Sequence, residues 1–296
     1  MGWLPDRRKN PRPAVAETMD GDFDPRDWRN HRFGLSRDRW AALHGKAVWI
    51  TGAGTGYGRA LALALAAAGA RVILSGRRRA KLEEVLIAAD ALGVNRDSFR
   101  VVTCDIADGC SLAEAVEVLR VSGLVPYGLV NNAALPQPAV GGWALFDTEP
   151  EQWSRLITTN LTAHWMVTRS VLPGMAAAGA ARVLFISSEA GWASTVGFGP
   201  YNVSKAALNS LGMSFAAEAA ARYPEADIQI NVLVPGEART EMNQGSLLSP
   251  FRAVPMALTL LSHGPGGPNG SFFHRDGRAL AFGYSGRFET PLVDHG

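Results

Sequence analysis

The chain has 296 residues, of which 47% are hydrophobic and 19% charged, and its formal net charge is +2. This length suits one large α/β domain or two small ones, and the composition is that of a globular protein with a sizeable core. The small net charge argues against a nucleic-acid-binding surface. No uninterrupted apolar run reaches about 18 residues, so we expect no membrane span.

The cysteines and histidines indicate neither a disulfide framework nor a metal site. Two cysteines, Cys104 and Cys110, are present, and no further Cys or His cluster completes a zinc pattern. The six histidines lack ligand spacing, so we expect no metal. The first residues, MGWLPDRRKNPRP, lack the apolar stretch of a secretory signal. These features predict reduced thiols and a cytoplasmic protein.

Residues 1–44 differ from the rest of the chain. They contain nine Arg or Lys residues, seven Asp or Glu residues and four prolines, which is typical of a poorly ordered arm. The aromatic side chains in the same segment favour an arm that packs on the body or on a partner subunit, with disorder as the alternative. They are Trp3, Phe23, Trp28, Phe33 and Trp40. We therefore divide the chain into an N-terminal arm, 1–44, and one domain, 45–296.

From residue 46 onwards, predicted strands and helices alternate. Strands are predicted at 46–51, 71–75, 99–104, 128–132, 181–187, 227–234 and 271–275. Helices are predicted at 56–70, 79–92, from 111, from about 149 to Met175, at 200–222 and at 254–262. Capping-box spacing, Ser111 with Glu114 and Thr148 with Glu151, sets two helix starts. The strands are nearly continuous apolar runs, which indicates a parallel sheet covered on both faces within a single α/β domain.

A glycine-rich turn, TGAGTGYG at 51–58, joins the first strand to the first helix. Glycines permit a tight turn and close backbone approach, and a helix N-terminus offers free N–H groups to a pyrophosphate. Any strand-to-helix turn can use glycine, so the string alone is weak evidence. Its place in a βαβ unit predicts dinucleotide binding.

The stretch YNVSK, 201–205, places Tyr201 and Lys205 four residues apart on one face of a predicted helix. A tyrosine hydroxyl normally retains its proton up to about pH 10. A nearby ammonium group favours the phenolate, so the pair could exchange a proton with a substrate. The alternative is an ordinary solvated helix pair.

The turn T-G-x-x-x-G-x-G together with Y-x-x-x-K resembles the short-chain dehydrogenase/reductase family over about residues 45–280. Further motifs occur in the family's order, namely NNAA at 131–134, where the family has NNAG, PGEART at 235–240, and Gly270 followed by Asp276 and Gly277. Asn160 matches the family's helix asparagine, and Ser188 its serine. The resemblance implies a seven-stranded, doubly wound Rossmann fold that assembles into homodimers or homotetramers.

The resemblance also implies a role for each site residue. Tyr201 would be the general acid/base, assisted by Lys205, while Ser188 would hold the substrate oxygen. Asn160 would order a water that links Lys205 to solvent. The implied cofactor-binding residues are Gly52, Thr55, Gly56, Tyr57, Gly58, Arg77, Arg78, Asp105, Ile106, Asn132, Ala133, Tyr201, Lys205, Ala238 and Thr240. Within this set, Asp105 and Ile106 would contact adenine, Asn132 and Ala133 the adenosine ribose, and Ala238 and Thr240 the nicotinamide carboxamide.

The second strand ends in SGRRR, 75–79, without the acidic residue that would bind an adenosine 2′-hydroxyl. Gly76 takes that place, and Arg77 could form charge-assisted bonds to the 2′-phosphate of NADP. The alternative is that Arg77, Arg78 and Arg79 form a solvated helix start. We expect NADP(H) as the preferred cofactor, with NAD(H) possible.

Three features depart from the family pattern. Tyr57 replaces an isoleucine in the glycine turn, Ala134 replaces a glycine, and only about a dozen residues separate Thr240 from the helix near Val254. This short lid favours an open cleft, or a pocket completed by the arm or by another subunit.

The expected function is NADP(H)-dependent oxidoreduction of a small-molecule ketone or secondary alcohol, as in a carbonyl reductase or a secondary alcohol dehydrogenase. The alternative from a different class is a non-catalytic NADP-binding sensor or scaffold of the same fold. Epimerisation or dehydration generally needs a further acid/base pair, and none is evident.

Overall fold

The computed structural model describes residues 31–136, 144–193 and 196–280. The predictions that concern Trp3, Phe23 and Trp28 lie outside the described residues. Cys104 is buried and Cys110 is exposed, and both are free thiols. None of the helices in the described ranges is long and apolar enough to cross a membrane.

Seven parallel strands form one sheet in the order β3-β2-β1-β4-β5-β6-β7. They are β1 Ala47–Thr51, β2 Arg71–Gly76, β3 Phe99–Thr103, β4 Gly128–Asn131, β5 Ala180–Ile186, β6 Asp227–Val234 and β7 Ser271–His274. This order confirms the predicted doubly wound Rossmann sheet. The central strands are apolar because both of their faces are covered: every residue of β1 is buried.

Eight α-helices flank the sheet in the described ranges. They are α1 Arg37–Ala42, α2 Gly56–Ala67, α3 Arg79–Ala91, α4 Gly109–Val121, α5 Pro150–Ile157, α6 Ala163–Ala177, α7 Gly199–Arg222 and α8 Val254–Leu261. Helices α2, α3 and α8 share one hydrophobic cluster, while α4, α6 and α7 share a second. The strand order reverses between β1 and β4, so a crevice forms there at the carboxyl ends of the strands.

Both predicted capping boxes are wrong by a short shift. Helix α4 begins at Gly109 because the Asp108 carboxylate accepts the Ser111 N–H at 2.9 Å. The Ser111 hydroxyl instead accepts the Asp105 N–H at 3.1 Å, which closes the loop after β3. In α5, Pro150 occupies the first turn, and the cap lies one residue later than predicted, at Glu149.

The described part of the arm packs on the body of the same chain. Phe33 is 1% exposed and lies 6.1 Å from the rings of both Trp40 and Phe251. Leu35 and Leu43 are buried in the same hydrophobic cluster. This segment therefore extends the core over the outer face of α8.

Phe33→Ala should lower the free energy of unfolding by about 3 kcal/mol, because a buried aromatic ring leaves a cavity when it is truncated. Urea denaturation measures this change. The matched control is Phe146→Ala, since Phe146 is fully exposed and its removal should change the free energy by less than about 0.5 kcal/mol. Equal effects in both variants would contradict the packing described for the arm.

Candidate active site

The crevice at the strand reversal is a continuous cavity of about 450 Å³. One end is formed by Arg77, Arg78 and Asp105, and the other by Tyr201 and Lys205. The remaining predicted residues that line it are Gly52, Thr55, Gly56, Tyr57, Ile106, Asn132, Ala133 and Thr240. Most of the predicted site residues, from distant parts of the chain, therefore line one cavity, whereas Gly58, Asn160, Ser188 and Ala238 do not line it.

The glycine turn leaves no room for side chains where it meets the end of β4. A Cβ atom on Gly58 would lie 2.3 Å from the Gly52 carbonyl oxygen, and one on Gly52, where φ is +66°, would lie 2.8 Å from Cα of Ala133. The Asn132 amide donates to the carbonyls of Thr51 and Gly52 at 3.0 and 3.1 Å. These contacts hold the turn against the segment that follows β4.

Tyr201, Ser188 and Lys205 meet at the carboxyl end of β5. Ser188 follows this strand, and its hydroxyl accepts the Ala190 N–H at 3.2 Å. It also lies close enough to the Tyr201 hydroxyl, in the first turn of α7, to influence the pKa of that group. One turn further along, the Lys205 ammonium donates to the Ile186 carbonyl at 2.9 Å and lies 5.7 Å from the centre of the Tyr201 ring. Tyr201 and Lys205 therefore line the cavity together, while Ser188 adjoins Tyr201 without lining the cavity itself.

Burial dominates the protonation of this group when the protein is alone. It raises the pKa of the Tyr201 hydroxyl, and the hydrogen bond with Ser188 opposes this rise. Burial also lowers the pKa of Lys205 to about 8. Desolvation of the buried phenolate therefore outweighs the effect of Ser188 on the pKa of Tyr201, and a lowering by Lys205 together with an oxidised nicotinamide stays a prediction.

Asn160 lies in a π-helical segment, Thr158–Thr162, that interrupts the predicted long helix between α5 and α6. Its carboxamide oxygen accepts the Leu135 N–H at 2.7 Å, and its amide donates to the Leu135 carbonyl at 3.2 Å. The side chain thus supports the loop after β4, while a water between Asn160 and Lys205 stays a prediction. Such interruptions are frequent at functional sites.

His164 supports the backbone of the site, a contact that the sequence analysis did not predict. It is fully buried, with Nε2 2.8 Å from the Ala133 carbonyl and Nδ1 3.2 Å from the Asn131 carboxamide oxygen. Burial lowers the pKa of His164 to about 3, with a further contribution from Lys205. The ring is therefore neutral and supports the backbone at Ala133.

The other end of the cavity is rich in charge. Arg77 lies 3.8 Å from Asp105, and Arg78 pairs with Glu241 at 2.7 Å. Arg79, by contrast, pairs with Glu83 on its own helix and does not line the cavity. Both pairs at the cavity are largely exposed and therefore weak, so either arginine can turn towards an anion.

Thr240 and Ala238 follow β6 at the other side of the glycine turn. The Thr240 methyl lies 3.1 Å from the place where a Gly56 Cβ would be, while Ala238 is buried and does not line the cavity with its side chain. Tyr57 donates its hydroxyl proton to the Gly236 carbonyl at 2.7 Å, a contact that the sequence did not indicate.

The sequence matches a family model described as short chain dehydrogenase over residues 46–248. The rat protein "Dehydrogenase/reductase SDR family member 4" is 32% identical over 222 residues, which are 74% of this chain and 75% of that protein. The chain belongs to the short-chain dehydrogenase/reductase family. It is an NAD(P)-dependent oxidoreductase that acts on CH–OH and C=O groups.

Further relatives agree with this assignment. The cattle protein "Dehydrogenase/reductase SDR family member 7B" is 33% identical over 69% of this chain and 61% of its own length. A 3-oxoacyl-[acyl-carrier protein] reductase from Brucella melitensis, with bound NAD, has a TM-score of 0.69 at 25% identity and covers 81% of this chain and 94% of its own. A gluconate 5-dehydrogenase from Burkholderia cenocepacia, in complex with NADP and tartrate, shares the fold with a TM-score of 0.69 at 24% identity over 80% and 95% of the chains.

Lys205 should make stability depend on pH. Its pKa is about 8 in the folded protein and near 10.5 when unfolded, so between these values the unfolded chain binds more protons. The free energy of unfolding should therefore rise with pH from about 8 to about 10, by up to about 1.4 kcal/mol per pH unit. Urea denaturation across this range should show the contribution in wild type and its loss in Lys205→Met.

The control for this measurement is Lys46→Met, which removes an exposed lysine whose ammonium lies over the Tyr127 ring. This variant should keep the wild-type slope. A Lys205→Met variant with the wild-type slope would contradict the described burial of the ammonium.

Proposed function

We propose that this enzyme is an NADP(H)-dependent carbonyl reductase, or secondary alcohol dehydrogenase, in which Tyr201 is the general acid/base. The observation that carries the proposal is that Tyr201 and Lys205 line the same cavity as the glycine turn, with Ser188 next to the Tyr201 hydroxyl. Bound nicotinamide dinucleotide supplies or accepts the hydride.

The residues present suit such a cofactor. The positions of Gly52 and Gly58 allow backbone approach that any side chain would prevent, and the free N–H groups at the start of α2 face the cavity through Thr55 and Gly56. Ile106 is 4% exposed and offers an apolar surface beside Asp105 for an adenine ring.

In reduction, the Tyr201 hydroxyl donates its proton to the developing alkoxide, and in oxidation the phenolate takes it back. Ser188, which lies next to this hydroxyl, also holds the substrate oxygen and so places it near the proton. Lys205 would bind the nicotinamide ribose, and its ammonium would return a proton to Tyr201 and then be reprotonated from solvent. The positive charge of a protonated Lys205, with that of an oxidised nicotinamide, offsets the cost of the buried phenolate.

NADP(H) rather than NAD(H) is supported by the cations at the far end of the cavity. Arg77 and Arg78 line it, and β2 carries no carboxylate there. Asp105 and Glu241 lie within ion-pair distance of these two arginines, but both pairs are exposed. A 2′-phosphate can therefore compete for both guanidinium groups.

Assembly into a homodimer or homotetramer and a cytoplasmic location belong to the same proposal. The apolar side chains exposed on α6 and α7, Trp165 and Val203, support a partner subunit there.

Tyr201→Phe should lower kcat by at least about 10²-fold, because the proton donor is lost, while the Kd for NADPH changes by less than about twofold. NADPH oxidation with a panel of aliphatic, alicyclic and aromatic ketones identifies a substrate for wild type and then measures the variant. Tyr223→Phe, on the surface end of α7, is the control and should keep wild-type turnover. A wild-type protein that binds NADPH but neither reduces a ketone nor oxidises the corresponding alcohol would favour the sensor or scaffold alternative.

Arg77→Ala should raise the Kd for NADPH by about tenfold or more and leave the Kd for NADH unchanged, because only NADPH carries the 2′-phosphate. Fluorescence titration with each dinucleotide measures both values. The matched control is Arg96→Ala, since the Arg77 and Arg96 side chains are both 54% exposed and Arg96 pairs with Asp90 outside the cavity. Tighter binding of NADH than NADPH by wild type would overturn the cofactor preference.

A further inference from the structure

The segment between β6 and the predicted nicotinamide-binding residues has an unusual set of partners. Three consecutive carbonyl groups, those of Pro235, Gly236 and Glu237, accept hydrogen bonds from side chains of remote elements. In the described parts of the chain, no backbone N–H group donates to any of the three. This segment therefore depends on side chains for its position.

Two side chains supply all three contacts. Tyr57, from the glycine turn, donates to the Gly236 carbonyl at 2.7 Å. Arg275, directly after β7, donates from one guanidinium nitrogen to the Glu237 carbonyl at 2.9 Å and to the Pro235 carbonyl at 3.4 Å. We call these three contacts the loop clamp.

The loop clamp needs glycine at position 236. Gly236 has a φ of +70°, and a Cβ atom there would lie 2.8 Å from the central carbon of the Arg275 guanidinium. The guanidinium can thus lie flat on the backbone only because no side chain intervenes. No carboxylate among the described residues lies within ion-pair distance of Arg275, so its hydrogen-bonding capacity is available to the carbonyls.

Tyr57 cannot act as a second proton donor while the loop clamp is formed. Its proton is directed to the Gly236 carbonyl, and burial raises the pKa of the hydroxyl. Its ring is nevertheless part of the cavity wall beside Tyr201. A hydroxyl that is buried, donates to backbone and lies next to the reacting end is suited to positioning rather than to chemistry.

We infer that Tyr57 and Arg275 are positioning residues that hold the segment from Pro235 to Ala238 in place for the nicotinamide half of the dinucleotide. This inference rests on the proposed function. The reason is geometric: Tyr57 belongs to the turn that would hold the pyrophosphate, and Gly236 leads to Ala238 and Thr240, which would hold the carboxamide. The loop clamp thus sets the distance between the two halves of the binding site.

The contributions of the two halves of the cofactor to binding can be measured separately. Loss of the loop clamp should weaken ligands that contain nicotinamide and spare those that lack it. NADPH and 2′-phospho-ADP-ribose form such a pair, because the second is the same molecule without its nicotinamide. NADH and ADP-ribose serve in the same way if wild type prefers NADH.

Tyr57→Phe removes one hydroxyl and keeps the ring. We expect the Kd for NADPH to rise about threefold to tenfold, the effect of one hydrogen bond, with an unchanged Kd for 2′-phospho-ADP-ribose. Arg275→Met should show a larger rise with the same selectivity, and Arg275→Lys should recover part of it. Tyr223→Phe and Arg278→Met are the controls, since Arg278 lies three residues from Arg275 and pairs with Asp276.

Hydrogen exchange of the ligand-free protein provides a second readout. The amide groups of Gly236, Glu237 and Ala238 should exchange faster in Tyr57→Phe than in wild type, while those of β6 stay protected. Equal weakening of both ligands would overturn the inference in favour of a general structural role, and so would unchanged binding with unchanged exchange. A wild-type protein that binds no dinucleotide and no fragment would instead overturn the proposed function, and the inference with it.

Discussion

The site depends on the contact between the glycine turn after β1 and the segment after β4. Parallel strands that reverse order leave a gap between their carboxyl ends, and here the Asn132 amide bridges that gap to the Thr51 and Gly52 carbonyls. Thr51 assists, because its hydroxyl accepts the N–H groups of Asn132 and Ala133 at 3.0 and 3.1 Å. The backbone of the turn is thereby presented to the cavity at a position set by β4.

Buried polar side chains hold the segment after β4 in place beyond this contact. Ala133 rests on the neutral His164 ring, and the next residues rest on Asn160 through the Leu135 backbone. His164 and Asn160 come from the helix that contains the π segment, and both are fully buried. The helix and the loop after β4 are therefore joined by buried polar groups that have few alternative hydrogen-bond partners. This limits how far the loop can move.

Most of the fold could be predicted because its signals are local. Each strand is a short apolar run bounded by turn residues, and the glycine turn and the Tyr201–Lys205 spacing are contiguous stretches. The caps of α4 and α5 were misplaced because neighbouring residues satisfy the same spacing rule, and the choice depends on Asp108 and on Pro150.

The parts that could not be predicted are contacts between distant segments. Tyr57 and Gly236 are 179 residues apart, and nothing around either residue indicates that they meet. The π-helical segment could not be predicted for the same reason. The sequence around Asn160 is typical of an uninterrupted helix, and the Asn160 side chain hydrogen-bonds to the distant Leu135 backbone. The burial that raises the pKa of the Tyr201 hydroxyl is likewise created by elements that are distant in sequence.

The ion pair between Arg78 and Glu241 has a consequence for the rate at which a cofactor exchanges. It joins the start of α3 to the lid after β6, and both residues line the cavity. An exposed pair of this kind contributes less than about 1 kcal/mol, and dissolved salt weakens it further. Lys81, also in α3, lies 4.0 Å from the same carboxylate. The lid can therefore separate from α3 without unfolding any element of the sheet, so entry and departure at this end need only the momentary loss of these two surface contacts.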